Sequence, residues 1–439
     1  MLDDVRDRVL GFSAACAAAA VLVFAAPAIA ESPTTATLPH ATTASARGPQ
    51  IVVNGASRGQ FRIALTRVIG ERQVSDAVLE VETRDLLQSS LFHILEPKEI
   101  HTNVEAEGMG FDRAAWQSNG AEGVVKAQST VRSGMIHLEL RLYLTRGTAT
   151  EPVLRREIDV APGGIRAVIH QWDNEVVKAF TNTAGSFGTA LVFGSTLGGG
   201  VKAIWQIGSD GEGLQRLATT APMAIAPAIA KSGIYYAGVS GDRSGYQLFR
   251  IGSPAAVLQQ TGQVYGVAFG GGKMAVVVAR DGRSDIYVGN PDGTGLAKVT
   301  DGGLNTHPSL SPAGQLAYSS NKGGNPQIYV DGRRVSARGT YNLAPSWCAA
   351  PDGARIVFMG RDGSAWDVFS TDASGSIDAM QRLTQDQGSN TYPACSPDGR
   401  TVAFFSTRDG GGLYTSDLRG QNQRKLATVT GESLRWEGN

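Results

Sequence analysis

The chain has 439 residues, enough for two or three domains and a sizeable core. Its 40 Lys plus Arg balance 40 Asp plus Glu, so the formal net charge is zero and the electrostatic footprint of a nucleic-acid binder is missing. Gly fills 55 of the 439 positions, which suits many tight turns rather than long helices.

Residues 1–30 read as a secretory signal peptide. The run from Gly11 to Ala30 is apolar and ends in Ala28-Ile29-Ala30 before Glu31, a small-x-small cleavage pattern. A membrane anchor is the rival reading. Cleavage predicts a mature chain that starts at Glu31, does not span a membrane and has lost Cys16. Residues 31–50 are rich in Thr, Ala, Ser and Pro without apolar periodicity, which predicts a flexible tail.

Residues 51–184 predict a small α/β domain in the order strand, strand, helix, strand, strand, helix. Strands are expected at 51–53 and 61–68, a helix at 72–92, strands at 123–128 and 135–145, and a helix at 165–182. The last helix is the clearest, with Ile165, Val168, Ile169, Trp172, Val176 and Phe180 on one stripe. Gly55-Ala56-Ser57-Arg58-Gly59 is a formal G-x-S-x-G. A nucleophile elbow needs a helix after its turn, and here a strand follows, so a β-turn is expected. His170 and Asp173 lie one turn apart, a spacing that fits a charge pair or half of a metal site. With no third ligand in view, a helix-surface or interdomain hydrogen bond is expected, and no metal.

Residues 185–439 carry a repeat. An aliphatic–aromatic pair recurs as Ile204-Trp205, Leu248-Phe249, Ile286-Tyr287, Ile328-Tyr329, Val368-Phe369 and Leu413-Tyr414, with the aromatics 44, 38, 42, 40 and 45 residues apart. A period near 40 with several short strands per repeat predicts an all-β propeller of one blade per repeat. Ser396-Pro397-Asp398-Gly399 is the fullest copy of the turn in each repeat. Pro397 suits its first central position and Gly399 the position of positive φ, a structural role without chemistry. The first repeat starts at its second strand, Leu191-Val192-Phe193. Residues 433–436 match the first strand around Trp347 but lack a second strand. The two ends therefore complete one blade, giving six, with Trp436 packing between blades as Trp347 does in its own repeat.

In an up-and-down blade, the loop leading into the first strand and the loop joining the second and third emerge on one face. The leading loops share Asn305-x2-Pro308, Asn342-x2-Pro345 and Asn390-x2-Pro393, and the others carry Asp242-Arg243, Arg280-Asp281-Gly282, Arg361-Asp362-Gly363 and Arg408-Asp409-Gly410. Asn305, His307, Asn342, Asn390 and Tyr392 are thus candidates for a partner-binding ring at the channel mouth. Turn chemistry alone is the competing reading for each Asn and each Asp-Gly. Cys348 and Cys395 lie one repeat apart, offset by one residue. Two small semi-buried residues are expected, and a disulfide in an oxidising compartment is the alternative. Asp210-Gly211-Glu212 and Asp292-Gly293 read as hairpin turns rather than calcium loops. No P-loop, dinucleotide fingerprint, H-E-x-x-H or C-x-x-C is present.

Three stretches resemble the TolB family, periplasmic propeller proteins of the Tol–Pal system. Trp116-x3-Gly120-Ala121-x2-Val124-Val125 resembles that family's W-x-x-L-G-A-D-x-V-V segment. His170-x2-Asp173-x2-Val176 with Phe180-Thr181-x3-Gly185-x-Phe187-x-Thr189 resembles its helix and linker into the first blade. Asp85-Leu86-x2-Ser89-x2-Phe92 is similar to its first long helix. The resemblance implies a monomeric, non-enzymatic scaffold in the periplasm, with no cofactor. It implies the peptidoglycan-associated lipoprotein (Pal) as partner at the propeller and TolA at the N-terminal side, in envelope integrity and outer-membrane constriction during division. A propeller enzyme and a sugar- or small-ligand-binding propeller are the alternatives.

Overall fold

A computed structural model of the chain describes residues 59–197, 200–241, 245–258 and 261–438. The expected signal peptide, tail, strand at 51–53, most of the G-x-S-x-G turn and Asp242-Arg243 lie outside these residues. Among the described residues no helix is long and apolar enough to cross a membrane.

The N-terminal part is one five-stranded sheet. Its strands are β1 (Phe61–Leu65), β2 (Phe92–Ile94), β3 (Gly123–Arg132), β4 (Met135–Leu144) and β5 (Leu154–Val160), in the order β2-β1-β3-β4-β5. Pairing of β1 with β2 and β3 is parallel, and the rest is antiparallel. Two long helices, α1 (Arg72–Gln88) and α4 (Ile165–Thr181), bury Val74, Val78, Leu86, Ile169, Trp172 and Val176 against Ile63, Val125, Leu138, Leu140 and Leu142. Strand alternation sends Ala64, Val124 and Tyr143 to the other face, where they meet Trp116. Trp116 belongs to the short helix α3 (Arg113–Ser118), which is N-capped by Asp112 as its smaller neighbour α2 (Val104–Glu107) is by Asn103.

Two expectations need correction here. The first helix stops at Gln88 rather than continuing to 92. Ser89 turns its hydroxyl back to the Leu86 carbonyl and accepts the Leu91 amide, Ser90 adopts φ 60°, and Phe92 starts a strand. Strand β5, LRREIDV, is absent from the expected order. It is an edge strand with mostly exposed charges, so it lacks the apolar alternation that marks a half-buried strand.

Residues 190–436 form six sheets. Blade one combines β6 (Ala190–Ser195), β7 (Ala203–Gly208) and β8 (Gln215–Arg216) with β28 (Glu432–Trp436). Blade two is β9 (Ala224–Ala230), β10 (Gly233–Val239) and β11 (Tyr246–Arg250), and blade three is β12 (Gln263–Gly270), β13 (Lys273–Arg280), β14 (Arg283–Gly289) and β15 (Ala297–Lys298). Blade four is β16 (Asn305–Leu310), β17 (Leu316–Ser320), β18 (Gln327–Val330) and β19 (Arg333–Arg334). Blades five and six run β20 (Tyr341–Cys348), β21 (Arg355–Arg361), β22 (Trp366–Thr371), β23 (Gln381–Arg382), then β24 (Asn390–Cys395), β25 (Thr401–Ser406), β26 (Gly412–Asp417), β27 (Arg424–Ala427).

The repeating aromatic has a packing reason. Each third-strand ring lies directly across from a second-strand side chain. Tyr236 faces Phe249, Tyr318 faces Tyr329, Phe358 faces Phe369 and Phe404 faces Tyr414, all stacked with centroids 5.6–6.3 Å apart. In blade three Val276 takes the place of the first ring, opposite Tyr287. The first strands pack each on the next around the ring, and β28 lies between β24 and β9. Closure is by pairing of the chain's ends, Trp436 opposite Leu191 and Arg435 opposite Val192.

Cys348 and Cys395 are buried and bonded to each other, with Cα atoms 5.4 Å apart, so the expectation of two separate thiols is corrected. Strand alternation explains the pairing. Trp347 turns into the core between blades four and five, so Cys348 must face the other way, toward blade six. Cys395 occupies the register of Trp347 in its own blade and therefore faces blade five. The one-residue offset is what brings the sulfurs together.

Candidate functional site at the channel mouth

The Asn-x-x-Pro repeat marks a bulge. In every first strand the pairing register shifts just after the leading loop. Five of the shifts contain a non-glycine residue in the left-handed region: Ala226 (φ 48°), His307 (51°), Ala344 (53°), Tyr392 (49°) and Ser433 (54°). Pro227, Pro308, Pro345 and Pro393 follow four of them and cannot donate to the ladder. Such backbone costs on the order of 1–3 kcal/mol per residue and serves to re-aim side chains. Here it turns them into the channel. The rings of His307 in blade four and Tyr392 in blade six lie 6.4 Å apart, across the small Ala344 of the blade between them.

The candidate residues divide by environment. Asn305, Asn342 and Asn390 are fully buried. Their amides donate to the preceding blade and to their own leading loop: Asn305 to the Ser284 carbonyl (3.0 Å), Asn342 to Gln327 Oε1 (2.7 Å) and the Arg338 carbonyl (2.8 Å), and Asn390 to the Gly388 carbonyl (3.2 Å). They clamp blade to blade and present no side chain to a partner, which corrects their place in the expected ring. His307 and Tyr392 are half-buried. Burial, and then the charge of Arg435, hold the His307 imidazole down to about 4, so it is neutral at pH 7. Burial, and then Glu432, push the Tyr392 phenol up. These two aromatic side chains are thus uncharged at neutral pH. Of the second set of loops, Arg408 is turned inward, its guanidinium 3.9 Å from the Tyr414 ring centre and bonded to Gln387 and Gln423.

The opposite face meets the N-terminal part. The turn after β24 is built on Ser396, whose hydroxyl accepts the Thr401 amide at 2.9 Å. Gly399 has φ 68°, and a Cβ there would strike the backbone of Ala349 and Ala350, so this turn nests against blade five. Pro397 lies against Gly438. Asp398 accepts from Ser186 in the linker at 3.0 Å, and Arg400 donates to Thr181 and Thr183. Asp398 is therefore an interface residue rather than a free surface acid. Asp352, in the equivalent turn of blade five, is exposed.

His170 and Asp173 are buried at this junction, which rules out the helix-surface reading. His170 Nδ1 lies 2.6 Å from Asp85 and its Nε2 3.3 Å from Asp210, in the turn after β7. Arg166 grips both oxygens of Asp210. Against burial, the bonds to Asp210 and Asp85 raise His170 to about 9. Burial alone pushes Asp210 up, but His170 and Arg166 hold it well below the usual carboxylate range. Behind them, burial lifts Glu82 to about 8 and Asp173 well above its usual value. Among the described residues no group of His, Cys, Asp and Glu is arranged to hold a metal ion. Asp210 was legible only as a hairpin turn, because its partners come from two helices far back in the sequence, Arg84 on α1 and Arg166 and His170 on α4.

Comparison with known proteins decides the lineage. Residues 177–436 match the family described as the TolB beta propeller domain, and residues 49–148 match the TolB amino-terminal domain. The chain belongs to the TolB family. A Chlorobium luteolum protein named Protein TolB homolog is 28% identical over 297 residues, covering 64% of this chain and 67% of that one. The Tol-Pal system protein TolB of Anaeromyxobacter dehalogenans is 31% identical over 290 residues, covering 64% of each, so the chain spans just under two thirds of that relative. The crystal structure of TolB from Acinetobacter baumannii matches with a TM-score of 0.69 at 21% identity, over 86% of this chain and 96% of that one, and shows the same fold. Within this TolB-family propeller, the bulged mouth and the acid-rich junction occupy opposite ends of the first strands.

Proposed function

We propose that this TolB-family chain is an exported, non-enzymatic scaffold of the Tol–Pal envelope system. It offers the His307–Tyr392 mouth to the peptidoglycan-associated lipoprotein and its N-terminal side to TolA, in support of envelope integrity and outer-membrane constriction. The observation that carries this reading is the bulge ring. Strained backbone repeated around the channel holds two half-buried aromatic side chains at one end, away from the face taken by the N-terminal part. The names of the curated relatives supply the system. Periplasmic location is supported by the Ala28-Ile29-Ala30 pattern and by the Cys348–Cys395 disulfide, which belongs to an oxidising compartment.

Calorimetric titration of the purified protein with the soluble domain of the lipoprotein, and separately with peptidoglycan fragments, tests it. Lipoprotein binding is expected. His307→Asp and Tyr392→Asp should each weaken it by about 1–3 kcal/mol, and Asp352→Lys on the far face should not. Equal losses from both faces, or heat only with the glycan, would sink the reading.

A further inference from the structure

Register assigns one residue of each first strand to a single level of the channel, two positions below the left-handed residue wherever there is one. They are Arg435 opposite Val192, Ala228 opposite Tyr235, Ala268 opposite Ala275, Ser309 opposite Ala317, Ser346 opposite Val357, and Ala394 opposite Ala403. Five of the six are Ala or Ser, and the sixth is Arg. Both serine hydroxyls accept a backbone amide of the next blade, Ser309 from Trp347 and Ser346 from Cys395. Arg435, Ala228, Ala268, Ser309 and Ser346 come from five different blades and line one shared cavity, which therefore lies on the ring axis. It measures only about 30 Å³, room for one or two waters. One long side chain thus fills what the other blades leave open, and the channel becomes a pit with a cation at its floor.

The cation has no counter-ion among the described residues. Among the described residues no carboxylate lies within 4.0 Å of Arg435, whose Nη1 donates to the Leu434 carbonyl at 2.9 Å. Glu432 on the same strand is taken by Lys202 at 2.7 Å. Burial lowers the Arg435 guanidinium to about 10, which leaves it charged at neutral pH. His307, from the blade opposite, feels that charge and is neutral.

We propose that Arg435 anchors one carboxylate, carried by an acidic side chain or C-terminus of a polypeptide partner that reaches down the channel between His307 and Tyr392. This rests on the reading that the mouth receives a protein partner. A planar guanidinium presents paired N–H groups that match a carboxylate in a bidentate fork. A single positive charge among uncharged walls is balanced by a monoanion, whereas a phosphate dianion would leave an excess charge in a half-buried site. The pit is too narrow for a folded surface, so the carboxylate must arrive on an extended segment that displaces the water-sized void.

The test uses the mature protein and two probes. In the first arm, calorimetry measures the soluble lipoprotein domain against wild type, Arg435→Lys and Arg435→Met; Met keeps bulk in the channel, and a thermal melt confirms folding. In the second arm, acetate, chloride and phosphate are titrated against the Arg435 Nε–H resonance of the wild type. The expected result is a loss of about tenfold or more in lipoprotein affinity for Arg435→Met, an intermediate loss for Arg435→Lys, and a saturable shift with acetate alone. Unchanged affinity in Arg435→Met would overturn the anchor while leaving the mouth reading intact. If acetate still saturates in that case, the site takes a small free carboxylate instead. A wild type that ignores the lipoprotein but saturates with acetate keeps the carboxylate site and removes the partner. Equal shifts with all three anions mean an adventitious ion only. If Arg435→Met does not fold, the wild-type anion titration decides.

Discussion

Asp173 is completely buried beside two other acids, Glu82 and Asp85, and shares a side-chain hydrogen bond with Asp85. Protonation is the cheap way to keep it there. Glu82, raised from 4.5 to about 8, and His170, raised from 6.5 to about 9, act in the same sense. Between those unfolded and folded values the native chain holds more protons than the unfolded one, so stability falls as pH rises through this window. Asp210 has the opposite sign, and its contribution is lost as pH falls below its unfolded value of 3.8. The melting temperature is therefore expected to be highest under mildly acidic conditions and to decline toward about pH 9. Asp173→Asn should raise the melting temperature at about pH 8 and flatten the decline. Parallel melting curves for variant and wild type would show that Asp173 is not the proton carrier. None of this was readable from His170 and Asp173 alone. Their spacing gave a helix face, but the acids that set their chemistry come from α1 and from the first blade. The Asn-x-x-Pro repeat was legible in the same partial way. Its position at the channel mouth follows from chain direction, whereas the burial of each Asn depends on a carbonyl in the preceding blade that no local pattern reveals.

Among the elements, β28 carries the most consequence for its length. It closes blade one, and Trp436 fills the core between blades one and six with Leu191, Phe193, Phe405 and Leu413, its Nε1 donating to Thr189 at 2.8 Å. Removing Ser433–Asn439 strips β6 of its partner and opens an edge to the channel. Trp436→Ala alone should cost about 3–5 kcal/mol. The truncated protein should unfold at a clearly lower midpoint and bind a hydrophobic dye, and one that melts like the full chain would mean that the ring holds without its clasp. This closure was legible because incomplete repeats at the two ends add up to one. The disulfide was not, since a one-residue offset looks like a mismatch until strand alternation is laid over it. The same alternation hid β5, whose exposed charges leave nothing apolar to count.

At the scale of the whole molecule, the junction is polar and strongly paired. Arg166 and His170 hold Asp210, Gln88 donates to the Ser209 carbonyl at 2.8 Å, and Arg400 reaches Thr181 and Thr183. Truncating one partner of a buried charge pair leaves the other uncompensated, a loss of about 3–5 kcal/mol. Asp210→Ala should therefore uncouple the N-terminal part from the propeller, so that calorimetry resolves two transitions where a single one is expected for the wild type. A single transition in the variant would place the coupling elsewhere, at the Ser186–Asp398 contact first.

The clasp also sets a timetable. Trp436 bonds to Thr189 across 247 positions of sequence, and any chain delivered from its N-terminus hands over β6 first and β28 last. Blades two to six need only neighbouring segments to assemble, and contacts so local form fast. Blade one must wait with a bare strand edge until the final residues emerge, the interval in which unpaired edges are most prone to capture by another chain. Shielding that edge during delivery is therefore expected to raise the yield of closed rings.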